Sequence, residues 1–178
     1  MDMENERYIQ MREFSRVDAR IPFEVRLLPL EERKDIRAKM SGASVLAETK
    51  ALPDLPDKLL GDWMRMLNAK LDAVINILTF QREGFGSLPF AQVNISGAGI
   101  GFGSREKYHQ GDVLEMKLIL PVMPPVALYL YGEVVKIEKR PENYYTGTKF
   151  IAIDEEVRDQ IVKFVFKRQR EILRDRRG

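Results

Sequence analysis

Two short stretches carry the residues best suited to binding chemistry: Arg12-Glu-Phe-Ser-Arg16 near the N-terminus, and Asn94-Ile-Ser96-Gly97-Ala-Gly99 some eighty residues later. Arginines four apart present two planar guanidinium forks, the geometry that grips phosphate oxygens or the O6/N7 edge of guanine. A small anion also needs neutral donors at close range, and Asn94, Ser96 and the amides around Gly97 and Gly99 offer them at a tight turn. Arg20 repeats the spacing from Arg16, which makes it a possible additional ligand residue.

Other chemistry finds little support. The chain has no cysteine and a single histidine, His109 in Tyr-His-Gln-Gly, so no thiolate nucleophile and no ordinary metal site is expected. Gly97, Gly99, Gly101 and Gly103 recur at period two, whereas a dinucleotide signature needs G-x-G-x-x-G. They read instead as a strand whose bare face lets a ligand or neighbouring strand come close. We therefore expect no catalysis, no cofactor and no metal. With 29 basic and 27 acidic residues the net charge is +2, so anion binding has to be local. The charged N-terminus and the absence of any apolar run of about 18 residues predict no signal peptide, no membrane span and a cytoplasmic location.

The elements that must position these groups are mostly strands. Ile21, Phe23, Val25 and Leu27 alternate with Pro22, Glu24 and Arg26, and Leu114, Met116, Leu118 and Leu120 with Glu115, Lys117 and Ile119. A return across Pro121 to Pro125 leads into a run from Val126 to Glu138, expected to bend or bulge at Gly132, and Tyr144 to Ile153 gives a further strand. Five to seven short strands predict a small antiparallel barrel. A C-terminal helix follows Asp154, with apolar residues at 157, 161, 164, 165 and 172 and a basic end that the helix dipole favours.

Residues 30–85 exceed a minimal barrel. Leu30 to Met40 reads as a short charged helix, Ser41 to Asp57 as a linker, and 57–82 as a long helix. In it Leu60, Met64, Leu67, Leu71, Val74 and Leu78 keep unbroken 4-3-4-3-4 spacing, a heptad seam that predicts a homo-oligomer.

Taken together and in this order, the two motifs resemble the R-x-x-x-R and [D/N]-x-S-x-x-G pattern of the PilZ domain, a family of bacterial receptors for the second messenger cyclic di-GMP. The resemblance spans residues 7–29 and 86–177 and includes the segments Gly132-Glu-Val-Val and Gly147-Thr-Lys-Phe. It implies a mainly β, α+β fold: a small antiparallel β-barrel with a C-terminal helix and an inserted long helix. Residues 1–29 would be the arm and first strand, 30–85 a helical insertion for oligomerisation, and 86–178 the rest of the barrel. Cyclic di-GMP would bind Arg12, Arg16, Asn94, Ser96, Gly97 and Gly99. The charge-rich arm, with few apolar anchors, would close over the nucleotide. The insertion is similar to that of a tetrameric PilZ group whose best-known members lack the ligand motifs, both of which are kept here, so a dimer or tetramer is implied. Glu13 and Met11 favour the alternative, an oligomeric protein-interaction scaffold that does not bind nucleotide. The basic C-terminal helix leaves nucleic acid as a lesser reading. The downstream protein partner is not legible in the sequence.

Overall fold

The computed structural model describes residues 15–41 and 54–177. Arg12 and the rest of the arm, most of the 41–57 linker and Gly178 lie outside the described residues. Seven strands form one sheet: β1 (Arg16–Leu27), β2 (Lys39–Met40), β3 (Phe90–Ser96), β4 (Gly99–Ser104), β5 (Val113–Leu120), β6 (Val126–Lys139) and β7 (Tyr144–Ile151). Their order is β2-β6-β5-β1-β3-β4-β7, and a β6–β7 pairing closes six of them into an antiparallel barrel. Closure leaves no free edge among the six.

Alternation fixes which face is inside. Along β1, Val17, Ala19, Ile21 and Phe23 are buried while Arg16, Asp18 and Arg20 face out. The strand begins at Arg16 and runs through Pro22, so Arg16 belongs to the barrel and not to an arm ahead of it. Pro22 is the last residue paired with β3, and Phe23 the first paired with β5. A residue without an N–H suits that change of partner. Ile95, Ile100, Leu114, Met116, Leu118 and Leu130 complete the interior.

Gly99 is a steric necessity, and Gly132 is tightly enclosed. At Gly99 a Cβ would collide with the backbone carbonyl of Thr148 on the neighbouring strand. At Gly132 it would lie 2.8 Å from Met116 Cε and 3.0 Å from Thr148. The strand is regular there. The register shift of β6 falls between Val134 and Lys136, so the bulge expected at Gly132 sits at Val135. Gly99→Ala should cost about 1–3 kcal/mol as overpacking against backbone that cannot turn aside, read as a melting point several degrees lower; an unchanged melting point would refute this reading.

The C-terminal helix α2 (Glu155–Asp175) starts as expected, with the Asp154 carboxylate accepting from the Val157 amide at 3.0 Å. That bond, and next the Arg37 guanidinium at 3.0 Å, hold the Asp154 carboxyl below its usual range. Val157, Ile161, Phe164 and Val165 bury one stripe of α2 against the barrel.

The long helix α1 (Lys58–Arg82) is capped by Asp57, which accepts from Leu60 N. It is about 37 Å long. Only Gly61 and Thr79 are buried along it. It is rooted at its C-terminal end, where Phe80 meets Phe85, Phe85 stacks edge-on against Tyr129 of β6, and Lys117 Nζ donates to Glu83 O at 3.1 Å. Glu83 and burial together raise the Tyr129 phenol to about 12, burial being the larger cause. Residues 30–40 do not form the expected helix. A single 3-10 turn, Leu30–Arg33, is followed by Asp35 at φ +61°, and β2 then pairs with β6. Backbone pairing to an open stretch of β6 outweighs the weak helical preference of so short a segment.

Candidate functional site

β1, β3 and β4 bring the second motif and part of the first together on the outer face. Arg16 pairs across the ladder with Ser96, and Asp18 with Asn94. Asn94 is the junction: its Oδ1 accepts from Arg16 Nη1 at 3.4 Å, and its Nδ2 donates to Asp18 Oδ1 at 2.8 Å. The motif turn, between β3 and β4, is a hairpin connection as expected.

Ser96 is fully buried, and its hydroxyl works within the turn. It accepts from the amides of Ala98 and Gly99, at 3.2 and 3.3 Å, and donates to Gly99 O. The Gly97 carbonyl accepts from Arg158 Nη1 of α2 at 2.6 Å, and the Ala98 carbonyl from Phe150 N. Of the motif residues, therefore, Asn94 and Arg16 present side chains outward, while Ser96, Gly97 and Gly99 shape the turn behind them. Arg20 faces a different concavity, against α2.

Next to Asn94 the outer face holds a cleft of about 640 Å³, within the range of roughly 300–1,000 Å³ usual for small-molecule sites. Asp18, Gln92 and Asn94 form one wall, Gly101 and Gly103 the floor, and β6 with β7 the other wall. Of the four period-two glycines Gly97 lies in the turn and Gly99 packs on Thr148, whereas Gly101 and Gly103 leave a bare face. It is partly covered by the Tyr145 ring, whose hydroxyl lies where a Cβ of Gly101 would be. The Arg140 guanidinium stacks on that ring at 4.5 Å, a cation–π contact across the β6–β7 hairpin. Lys136 is neutralised by Glu138 at 2.8 Å.

Sequence reasoning did not single out Asp18, Lys136, Arg140 or Tyr145. Asp18 was findable, since it shares the period-two outer face with Arg16. Arg140 and Tyr145 come together only through the turn at 140–143, closed by Arg140 N donating to Asn143 O. His109 is the exposed turn residue expected, its amide donating to Asp112 Oδ2. Among the described residues no cluster of three or more His, Cys, Asp or Glu could hold a metal ion, and no helix is long and apolar enough to cross a membrane.

A closed six-stranded antiparallel barrel, finished by a C-terminal helix and carrying an Asn-x-Ser-x-x-Gly hairpin beside an outward arginine, defines a small β-barrel domain. The chain belongs to the PilZ domain family, whose model matches residues 75–167, just over half of the sequence. The match includes Asn94–Gly99 and excludes the stretch with Arg12 and Arg16. No curated protein matches the chain. Among solved structures it is similar to a pathogenic protein of Xanthomonas campestris, described as a tetrameric PilZ domain self-assembled through an unusual helical bundle. That likeness has a TM-score of 0.58 at 17% identity, over 90% of this chain and 91% of the other.

Proposed function

We propose that the chain is a non-catalytic receptor for cyclic di-GMP that assembles through α1. The observation that carries the receptor reading is Asn94, which lines the outer cleft and at the same time accepts from Arg16 of β1. One side chain thus joins the two motifs at a concavity of ligand size. In this reading Arg12 and Arg16 grip phosphate and guanine, Asn94 meets the base, and Ser96, Gly97 and Gly99 hold the hairpin that presents it. Arg12 stands four residues ahead of Arg16, an even spacing of the kind that shares one side of an extended chain. The nucleotide would replace the Asn94–Arg16 contact with charge-assisted bonds.

The assembly reading rests on exposure. Leu60, Met64, Leu67, Leu71, Val74 and Leu78 are each about half exposed or more, and nothing among the described residues covers them. Trp63, Ile75 and Ile77 widen the stripe beyond one seam, so a two-stranded coil would leave apolar surface in water where a bundle of more helices would not. A helical bundle is also how the Xanthomonas neighbour is described.

The scaffold alternative draws on the same cleft: the Asp18 carboxylate stands beside Asn94, and the Ser96 hydroxyl is already satisfied. Calorimetric titration with cyclic di-GMP separates the two. Saturable heat is expected, and none at excess nucleotide would leave the scaffold. Arginines reading guanine O6 and N7 should also discriminate against cyclic di-AMP, whose amino group faces the forks as a donor, by about tenfold or more. Equal affinity for both would mean that only phosphates are read.

A further inference from the structure

A second concavity lies around Arg20. β1, the connection at Pro121 and α2 enclose about 360 Å³, with Phe164 among the residues at its base and Arg20, Lys167, Arg168 and Glu171 as its charged lining. Its charge is unlike that of the first cleft. There two cations, Lys136 and Arg140, stand against two carboxylates, Asp18 and Glu138. Here three cations stand against the single carboxylate of Glu171, which is already engaged with Arg168 at 3.1 Å. Arg20 and Lys167 have no ion-pair partner among the described residues.

These two free cations come from different elements. Arg20 projects from β1, and Lys167 from the turn of α2 that follows the buried Phe164 and Val165. The helix is fixed alongside the strand here, since Gln169 Nε2 donates to Arg16 O at 3.2 Å. Like charges converging on one concavity repel each other unless an anion sits between them, and the anion gains most where a planar fork and a point charge approach from two sides. The remaining lining, Phe164 and Pro121, is apolar and suits a compact flat body.

We propose that this cleft is a second, separate anion site, which takes a phosphomonoester carried on a small apolar group. The phosphate sits between Arg20 and Lys167, Arg168 is released to it from Glu171 or shared with it, and the body lies toward Phe164 and Pro121. Occupancy ties the second half of α2 to β1. The shared chemistry is a phosphomonoester, from a soluble metabolite or from a lipid headgroup such as phosphatidic acid.

The test uses the full chain and phenyl phosphate as probe, at fixed ionic strength, followed by calorimetry and by hydrogen exchange. Saturable binding is expected, with exchange slowed across residues 164–172. Arg20→Ala and Lys167→Ala should each weaken it about tenfold or more, with melting points near wild type because both side chains are exposed. Arg16→Ala should leave it intact whether or not the chain binds cyclic di-GMP, so this site and the nucleotide reading fail separately. Sedimentation with vesicles containing phosphatidic acid tells the sources apart: binding lost in the same two variants identifies the lipid, and no vesicle binding identifies a soluble ligand. Absence of saturation at millimolar phenyl phosphate, affinity indifferent to Arg20 and Lys167, or displacement of the probe by cyclic di-GMP together with its loss in Arg16→Ala would each overturn the proposal.

Discussion

Replacing Leu67 and Leu71 together by glutamate is expected to convert an oligomer into a folded monomer. Both side chains lie mid-helix, 49% and 61% exposed in the isolated chain, and the residues packed into the barrel do not include them. Nothing among the described residues buries them, so in the proposed assembly they are covered by a partner helix. In such a seam each leucine truncated to alanine would be worth about 2–5 kcal/mol, and a buried unpaired carboxylate costs more. The barrel should not register the change, because α1 is anchored by Phe80 and Phe85 at its far end. Light scattering should show one chain mass for the double variant and a multiple of it for wild type, with the same melting of the β-rich core. A monomeric wild type at high micromolar concentration would refute assembly through α1, and loss of the fold in the variant would show that Leu67 and Leu71 belong to the barrel's own stability.

The contrast between α1 and residues 30–40 shows what a linear pattern can specify. Over 25 residues the 4-3 spacing has a single geometric solution, and Asp57 marks the start, so the helix is legible to within one residue at each end. Leu30 to Met40 has helical composition but only one turn's worth of pattern, and the pairing of Lys39 and Met40 to Tyr129 and Leu128 depends on a strand ninety residues away. The barrel strands were legible in part for the same reason as α1: Ile21 and Phe23 of the alternation read over 21–27 are buried, whereas Leu27 is exposed and the strand's earlier start, with Val17 and Ala19, was missed. Bulge position was not, because Gly132 and Val135 differ in ladder geometry and not in hydrophobic pattern. The candidate site divides along the same line. Asn94 and Arg16 lie on paired strands whose register follows from alternation, whereas the Arg140–Tyr145 stack is a side-chain contact across a hairpin. Separating Arg20 from Arg16 required knowing where α2 lies.

Arg16→Ala is expected to weaken cyclic di-GMP binding by about tenfold to a hundredfold, the equivalent of 1–3 kcal/mol for one charge-assisted, forked contact. Its present partner is poor: Asn94 Oδ1 at 3.4 Å is a long, neutral acceptor, and Arg16 has no carboxylate partner among the described residues, so little is given up when a phosphate arrives. Arg12→Ala should cost a similar amount if that side chain reaches the same ligand. Asn94→Ala removes both the base contact and the group that spaces Arg16 from Asp18, so a double-mutant cycle of Arg16 and Asn94 should show coupling instead of additive losses. Arg20→Ala, in the other cleft, should change nucleotide affinity far less. The pattern is diagnostic because Arg16, Asn94 and Arg20 face outward and their loss leaves the core untouched. If Arg20 matters as much as Arg16, the nucleotide lies toward α2 and the Asn94 cleft is not its site. If Arg16→Ala binds like wild type while wild type binds tightly, the β1 arginine is a surface charge and the phosphates are held elsewhere.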